Sequence, residues 1–167
     1  MADTFVKIAT VTVTAGGGSA SMDFTSIPAT YTDLCLKISS RNTANNNYGT
    51  ITFNSSSSSF TRRILYGTGS SVASETPNSA ESLTVTPSGA TASTFGNYEM
   101  YLPNYAGSNY KSFSVDAVTE NNGAVAYAMF HAGLWSNSAA ITSFSITAAG
   151  GNLAQYSTAT LYGISKS

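Results

Sequence analysis

Asn122-Gly123 lies between two long runs of strand-forming residues, Lys111–Glu120 and Ala124–Ser136, and no other pair constrains the folding of this chain as tightly. Asn-Gly accepts positive φ at both central positions of a two-residue hairpin loop, which is what a type I′ turn demands. A loop of these two residues sets a register in which Asn121 faces Ala124, Ala117 faces Ala128, Val115 faces Phe130 and Phe113 faces Ala132. The last six share one apolar face. The opposite face then carries Ser114 across from His131, Asp116 across from Met129 and Val118 across from Tyr127. A slip of one residue would exchange the two faces of a strand, so turn and pattern have to agree.

The same grammar runs through the rest of the chain. Short runs rich in β-branched and aromatic residues occur at Phe5–Thr14, Ala20–Phe24, Thr32–Ser39, Gly49–Phe53, Phe60–Tyr66, Ser82–Thr86, Asn97–Leu102, Ile141–Ala148 and Ser157–Ile164. Several alternate cleanly: Leu34, Leu36 and Ile38 fall on one side, with Asp33, Cys35 and Lys37 on the other. Gly, Asn, Ser and Pro break the runs at Ala15–Gly18, Asn42–Asn47, Ser55–Ser59, Ser88–Ser93 and Ala149–Asn152. No segment has helical periodicity, and no repeat at fixed spacing suggests a propeller or solenoid. The pattern predicts an all-β fold, with residues 1–167 forming a single antiparallel β-sandwich domain with flexible termini. Jelly-roll topology is expected; an immunoglobulin-like sandwich is the rival, but no Cys…Trp…Cys spacing supports it.

Composition narrows function by exclusion. Charged residues are 9% of the chain, against roughly 25% in typical domains, and the formal net charge is −1. Nothing here would neutralise a phosphate backbone, so no nucleic-acid partner is expected. Arg62-Arg63 is the one adjacent basic pair and fits an exposed strand position with a single ion pair. No apolar stretch is long enough to span a bilayer, and Met1–Phe5 lacks a signal-like start, so synthesis in a cytoplasm is expected. Polarity comes from hydroxyls and amides: Ser and Thr make up nearly a third of the chain. Such a surface costs less to bury against another protein than a charged one, which favours assembly.

Chemistry-bearing residues are sparse. The single cysteine, Cys35, rules out an intrachain disulfide and reads as a packed or half-packed thiol. One His and scattered carboxylates give no metal-ligand spacing, and no cofactor is expected. The hairpin register places His131 opposite Ser114 with Asp116 nearby. A strand-borne serine without a nucleophile elbow makes a polar outer face, with His131 at a subunit contact, the better reading, and no enzymatic activity is expected. The aromatics are the stronger lead. Ten tyrosines and one tryptophan suit stacking or protein contact. The candidate interface residues are Asn42, Asn47, Tyr101, Tyr105, Tyr110 and Trp135, with the loops Asn42–Asn47, Ser55–Ser59 and Pro103–Tyr110.

The closing run Ser157-Thr158-Ala159-Thr160-Leu161-Tyr162-Gly163-Ile164, the opening run Phe5–Thr14 and Leu65-Tyr66-Gly67-Thr68-Gly69 resemble segments of small virion proteins of tailed bacteriophages. That group includes jelly-roll capsid cement, or decoration, proteins. The resemblance implies a subunit at the capsid surface that forms a homo-oligomer, a trimer, and bridges capsomers of the major capsid protein. It carries no site residues. The alternative is a receptor- or glycan-binding domain of a tail fibre or tailspike. A chain that starts at Met1 and shows no shaft segment is expected to be a free-standing subunit.

Overall fold

Alternation becomes strand wherever one side of a run can be buried, and here nearly every run finds a partner. The structure is a computed structural model describing residues 4–123 and 126–165. Its strands are β1 (Phe5–Thr12), β2 (Ser21–Phe24), β3 (Asp33–Ser40), β4 (Tyr48–Phe53), β5 (Phe60–Gly67), β6 (Val72–Glu75), β7 (Glu81–Thr84), β8 (Gly96–Pro103), β9 (Lys111–Val118), β10 (Ala128–Trp135), β11 (Phe144–Ala148) and β12 (Thr158–Ile164). All pair antiparallel, in an eight-stranded sheet of order β1-β12-β3-β8-β9-β10-β5-β6 and a four-stranded sheet of order β2-β11-β4-β7. The two pack as a β-sandwich. Neighbours such as β12-β3-β8 lie far apart in sequence and require the long cross-connections expected of a jelly roll. The short strand β6, with no apolar alternation of its own, escaped the sequence pattern and pairs with the end of β5.

The core lies between the sheets. Leu34, Leu36, Ile38, Tyr98, Met100, Phe113, Val115 and Leu161 come from the large sheet; Met22, Ile51, Phe53, Leu83, Phe144 and Ile146 come from the small one. Phe53 is its hub, with edge-on contacts to Phe60, Phe113, Trp135 and Phe144 at ring separations between 5.2 and 5.6 Å. Such geometry adds to plain burial because ring edges meet ring faces.

The β9–β10 hairpin overturns the expected register. Val118 pairs with Ala128, Val115 with His131 and Phe113 with Gly133, one residue away from the pairing predicted by a two-residue loop. Asn122 has φ 59°, but Gly123 lies outside the left-handed region, so the pair does not make a type I′ turn. The hairpin instead closes at Thr119, whose N–H donates to the Tyr127 carbonyl at 2.9 Å. Beyond it, the Glu120 carboxylate accepts from the backbone N–H groups of Asn121 (3.1 Å) and Asn122 (2.9 Å). A side chain that satisfies its own loop's backbone competes with the tight turn. The expected contact of Asn121 with Ala124 falls outside the described residues.

The slip inverts β10. Met129, His131, Gly133 and Trp135 point into the sandwich, while Ala128, Phe130 and Ala132 are exposed. Tertiary packing accounts for the choice. Trp135 stacks on Phe60 at 6.1 Å. Gly133 makes room for Phe113, whose ring would lie 2.2 Å from a Cβ at that position. Gly133→Ala should therefore cost about 1–3 kcal/mol, the usual penalty for overpacking a closed core. Gly163→Ala meets the Tyr31 ring, which is only half-buried rather than enclosed in the core, and should cost less. Urea unfolding of the two variants side by side measures the difference.

Cys35 sits on the outer side of β3 between Tyr162 and Tyr101, its partners on the adjacent strands, and is 3% exposed. Burial, then the nearby Glu99 carboxylate, raises its pKa from 9.0 to about 11. The neutral thiol is thus favoured in the fold. Its stabilising contribution is complete below pH 9 and is lost as pH rises towards 11. At pH 8 a disulfide reagent should label native Cys35 at least about 100-fold more slowly than the urea-unfolded chain, because the thiolate is the nucleophile. Equal rates would contradict this placement.

Candidate functional site

Four polar residues meet inside the sandwich where an apolar core would be expected. Glu81, on the edge strand of the small sheet, is fully buried, as are His131 and Tyr98 of the large sheet; Arg62 is 3% exposed. Glu81 Oε1 lies 2.7 Å from His131 Nδ1 and accepts from the Tyr98 hydroxyl at 3.2 Å. Glu81 Oε2 is 3.9 Å from Arg62 Nε, an ion pair without a hydrogen bond. The rest of the guanidinium donates to Ser82 Oγ at 2.5 Å and Ser79 Oγ at 2.8 Å. Burial, then the charge of Glu81, pushes the Tyr98 phenol well above its usual range and keeps it a donor.

This quartet adjoins the floor of an open cleft. The eight-stranded sheet is wider than its partner, so beyond β7 the inner face of β5 and β6 is only partly covered. The cleft encloses about 220 Å³. Arg62, Ile64 and Tyr66 follow one another along the inner side of β5, since alternate residues share a face. Tyr127 and Met129 enter from the β10 side, Asn47 and Tyr48 from the start of β4, and Glu75 from β6. The Tyr66 and Tyr127 rings meet edge to face at 5.9 Å and 70°. The Tyr66 hydroxyl donates to Glu75 Oε1 at 3.1 Å. That bond, then the carboxylate's charge, raises the Tyr66 pKa; burial, then Tyr127 and Glu75, does the same for Tyr48.

The candidates predicted from sequence divide in two. Asn42, Tyr105 and Trp135 are at most 1% exposed and present no surface. Asn42 is a loop brace: its Nδ2 donates to the carbonyls of Asn46 and Ala149, both at 2.9 Å. The Tyr105 hydroxyl donates to the Pro28 carbonyl. Tyr101 and Tyr110 are exposed, and Asn47 lines the cleft. The expected Ser114–His131–Asp116 grouping does not form, because the register slip turns His131 inward while Ser114 and Asp116 stay on the outer side of β9. For the same reason His131 is not part of a polar outer face. Arg62 is likewise corrected from an exposed position to a buried one; Arg63 is exposed.

Two surface loops are held firmly from below. The Arg41 guanidinium donates to the carbonyls of Ser88, Ala90, Thr91 and Thr94 at 2.9–3.0 Å, which pins the loop after β7. The buried Lys111 Nζ donates to the carbonyls of Gly107 (2.7 Å) and Asn109, and Asp33 Oδ1 accepts from the Asn104 N–H at 3.0 Å. These bonds fix the Pro103–Tyr110 loop.

Sequence reasoning missed Glu81, Tyr48, Tyr66 and Tyr127. A signal existed on β5: Arg62 and Tyr66 share parity with Phe60 and Ile64, so an inward apolar face carries them inward too. Nothing local marks Glu81, whose partners come from β5, β8 and β10. Comparison with protein-family models, curated proteins and solved structures finds no match.

Glu81→Ala leaves Arg62 and His131 buried without their carboxylate and should destabilise the fold by about 3–5 kcal/mol. Glu81→Gln keeps the shape and one acceptor and should cost less. Denaturant titration of the two variants gives the comparison, and a loss below 1 kcal/mol for Glu81→Ala would contradict a binding role for this carboxylate in the core.

Proposed function

We propose that this chain is a structural subunit of a tailed-bacteriophage virion, a cement protein that stabilises the head by bridging capsomers as a homotrimer. The observation that supports this reading best is the outer face of the large sheet. Leu65 and Phe130 face each other across β5 and β10 and are 53% and 56% exposed; Val72 on β6 is 76% exposed. Gly67, Ala128 and Ala132 lie on the same outer side and leave the large side chains standing proud. Phe5 and Tyr101 are exposed on the far half of the sheet, beyond the outward-facing row of Asp116, Glu99 and Lys37. A contiguous apolar patch on a weakly charged protein marks a surface that another protein covers. Loops pinned by Arg41 and Lys111 keep their shape, which lowers the ordering cost of docking. Several copies engaging neighbouring capsomers would multiply modest contacts into a strong lattice. The phage assignment rests on the resemblance of Ser157–Ile164, Phe5–Thr14 and Leu65–Gly69, and the trimer on the cement analogy.

Particles with and without the protein, heated or taken to low salt, provide the test. Wild-type protein should delay DNA release. The pair Leu65→Asp and Phe130→Asp, checked for folding by circular dichroism, should fail to dock and give no protection. Equal DNA retention with and without the protein would refute the cement role. A fall in host-cell adsorption instead would establish the receptor-binding alternative.

A further inference from the structure

The tyrosine cleft is unused by the cement reading, and its chemistry differs from that of the outer face. We propose that this cleft binds a neutral sugar ring, with the aromatic walls of Tyr48, Tyr66 and Tyr127 taking its C–H face and Asn47, Glu75 and the floor around Arg62 taking its hydroxyls.

Size comes first. A volume of about 220 Å³ is below that of pockets for drug-sized ligands, which begin near 300 Å³, and suits a single ring. Shape comes second. Tyr48 is 52% exposed at the mouth, while Tyr66 and Tyr127 are half-buried and locked edge to face, so the walls are preformed. A pyranose is amphipathic in the same way, with apolar C–H faces and an equator of hydroxyls, and tyrosines offer it rigid rings with polar tips. The Glu75 carboxylate, already holding the Tyr66 hydroxyl at 3.1 Å, retains acceptor capacity for a sugar O–H.

Charge decides against anionic ligands. Arg62 is buried, donates to Ser79 and Ser82, and has its charge offset by the Glu81 carboxylate 3.9 Å away, so it offers little net attraction to a phosphate or carboxylate. Glu75 stands at the cleft with no cation paired to it among the described residues, so anionic sugars and nucleotides would be repelled. A proline-rich peptide also stacks on tyrosines, but it needs an extended groove, and here β6 and Pro77 close the cleft on one side.

The test is saturation-transfer NMR on the full chain with methyl glycosides of glucose, galactose, mannose and N-acetylglucosamine, and with a proline-rich decapeptide. Transfer to at least one glycoside is expected. Tyr48→Ala and Glu75→Gln change exposed residues and leave the core intact; each should weaken that binding by about tenfold or more, as loss of an anchoring contact does. Tyr156→Ala, exposed and outside the cleft, should leave it unchanged. No transfer to any glycoside, transfer to the peptide alone, or binding that survives Tyr48→Ala would overturn the proposal. Docking to phage particles should be unaffected by Tyr48→Ala, and sugar binding unaffected by Leu65→Asp, so each reading fails on its own measurement.

Discussion

The Glu81 carboxylate joins the two sheets. It stands on the edge strand of the small sheet and meets His131, Tyr98 and Arg62, which come from three strands of the large one. Each of these groups would be costly to bury alone; Glu81 Oε1 meets both His131 Nδ1 and the Tyr98 hydroxyl, while Glu81 Oε2 and Arg62 Nε are held by charge without a hydrogen bond. A buried polar network of this kind is poor as a source of raw stability, since desolvation offsets most of the attraction. Its effect is on which arrangement wins. With Glu81 facing inward, the strand that carries His131 has to present its odd-numbered side to the core.

That choice propagates outward through β10. Once His131 and Trp135 point in, Phe130 points out, and with Leu65 it builds the exposed apolar face on which the cement reading stands. The same parity brings Met129 to the inner side, next to Tyr127, where it helps to wall the cleft. The exposed apolar face and the cleft are thus two faces of one register. The unequal widths of the sheets do the remainder, because the outermost strands of a wide sheet overhang a narrow one and leave an inner surface that solvent can reach.

Much of the fold was legible from periodicity. Leu34, Leu36 and Ile38 could only be an inward face, and Asp33 with Lys37 an outward one; the sheet pairings agree. Every predicted run contains a strand, and every glycine- or serine-rich break is a connection. The site was much less legible. Arg62 looked like surface because charged residues usually are, and only its parity with Phe60 and Ile64 argued otherwise. Tyr105, in a surface loop, and Trp135, the one tryptophan, looked like interface anchors, yet their rings fill the core.

Period-two alternation along the chain dictates short strands that each bury one face, and frequent turn residues between them favour antiparallel neighbours. It did not determine the pairing of β9 with β10. Both sides of Ala128–Trp135 hold large apolar residues, Phe130 and Leu134 on one and Met129 and Trp135 on the other, so local pattern cannot choose between them. Only the opposing sheet could, by placing a carboxylate opposite the imidazole and an aromatic cluster around Phe53 opposite the indole. Contacts between residues as distant as Glu81 and His131 leave no mark on the sequence near either one, and it is those contacts that decided which side of the strand faces the core.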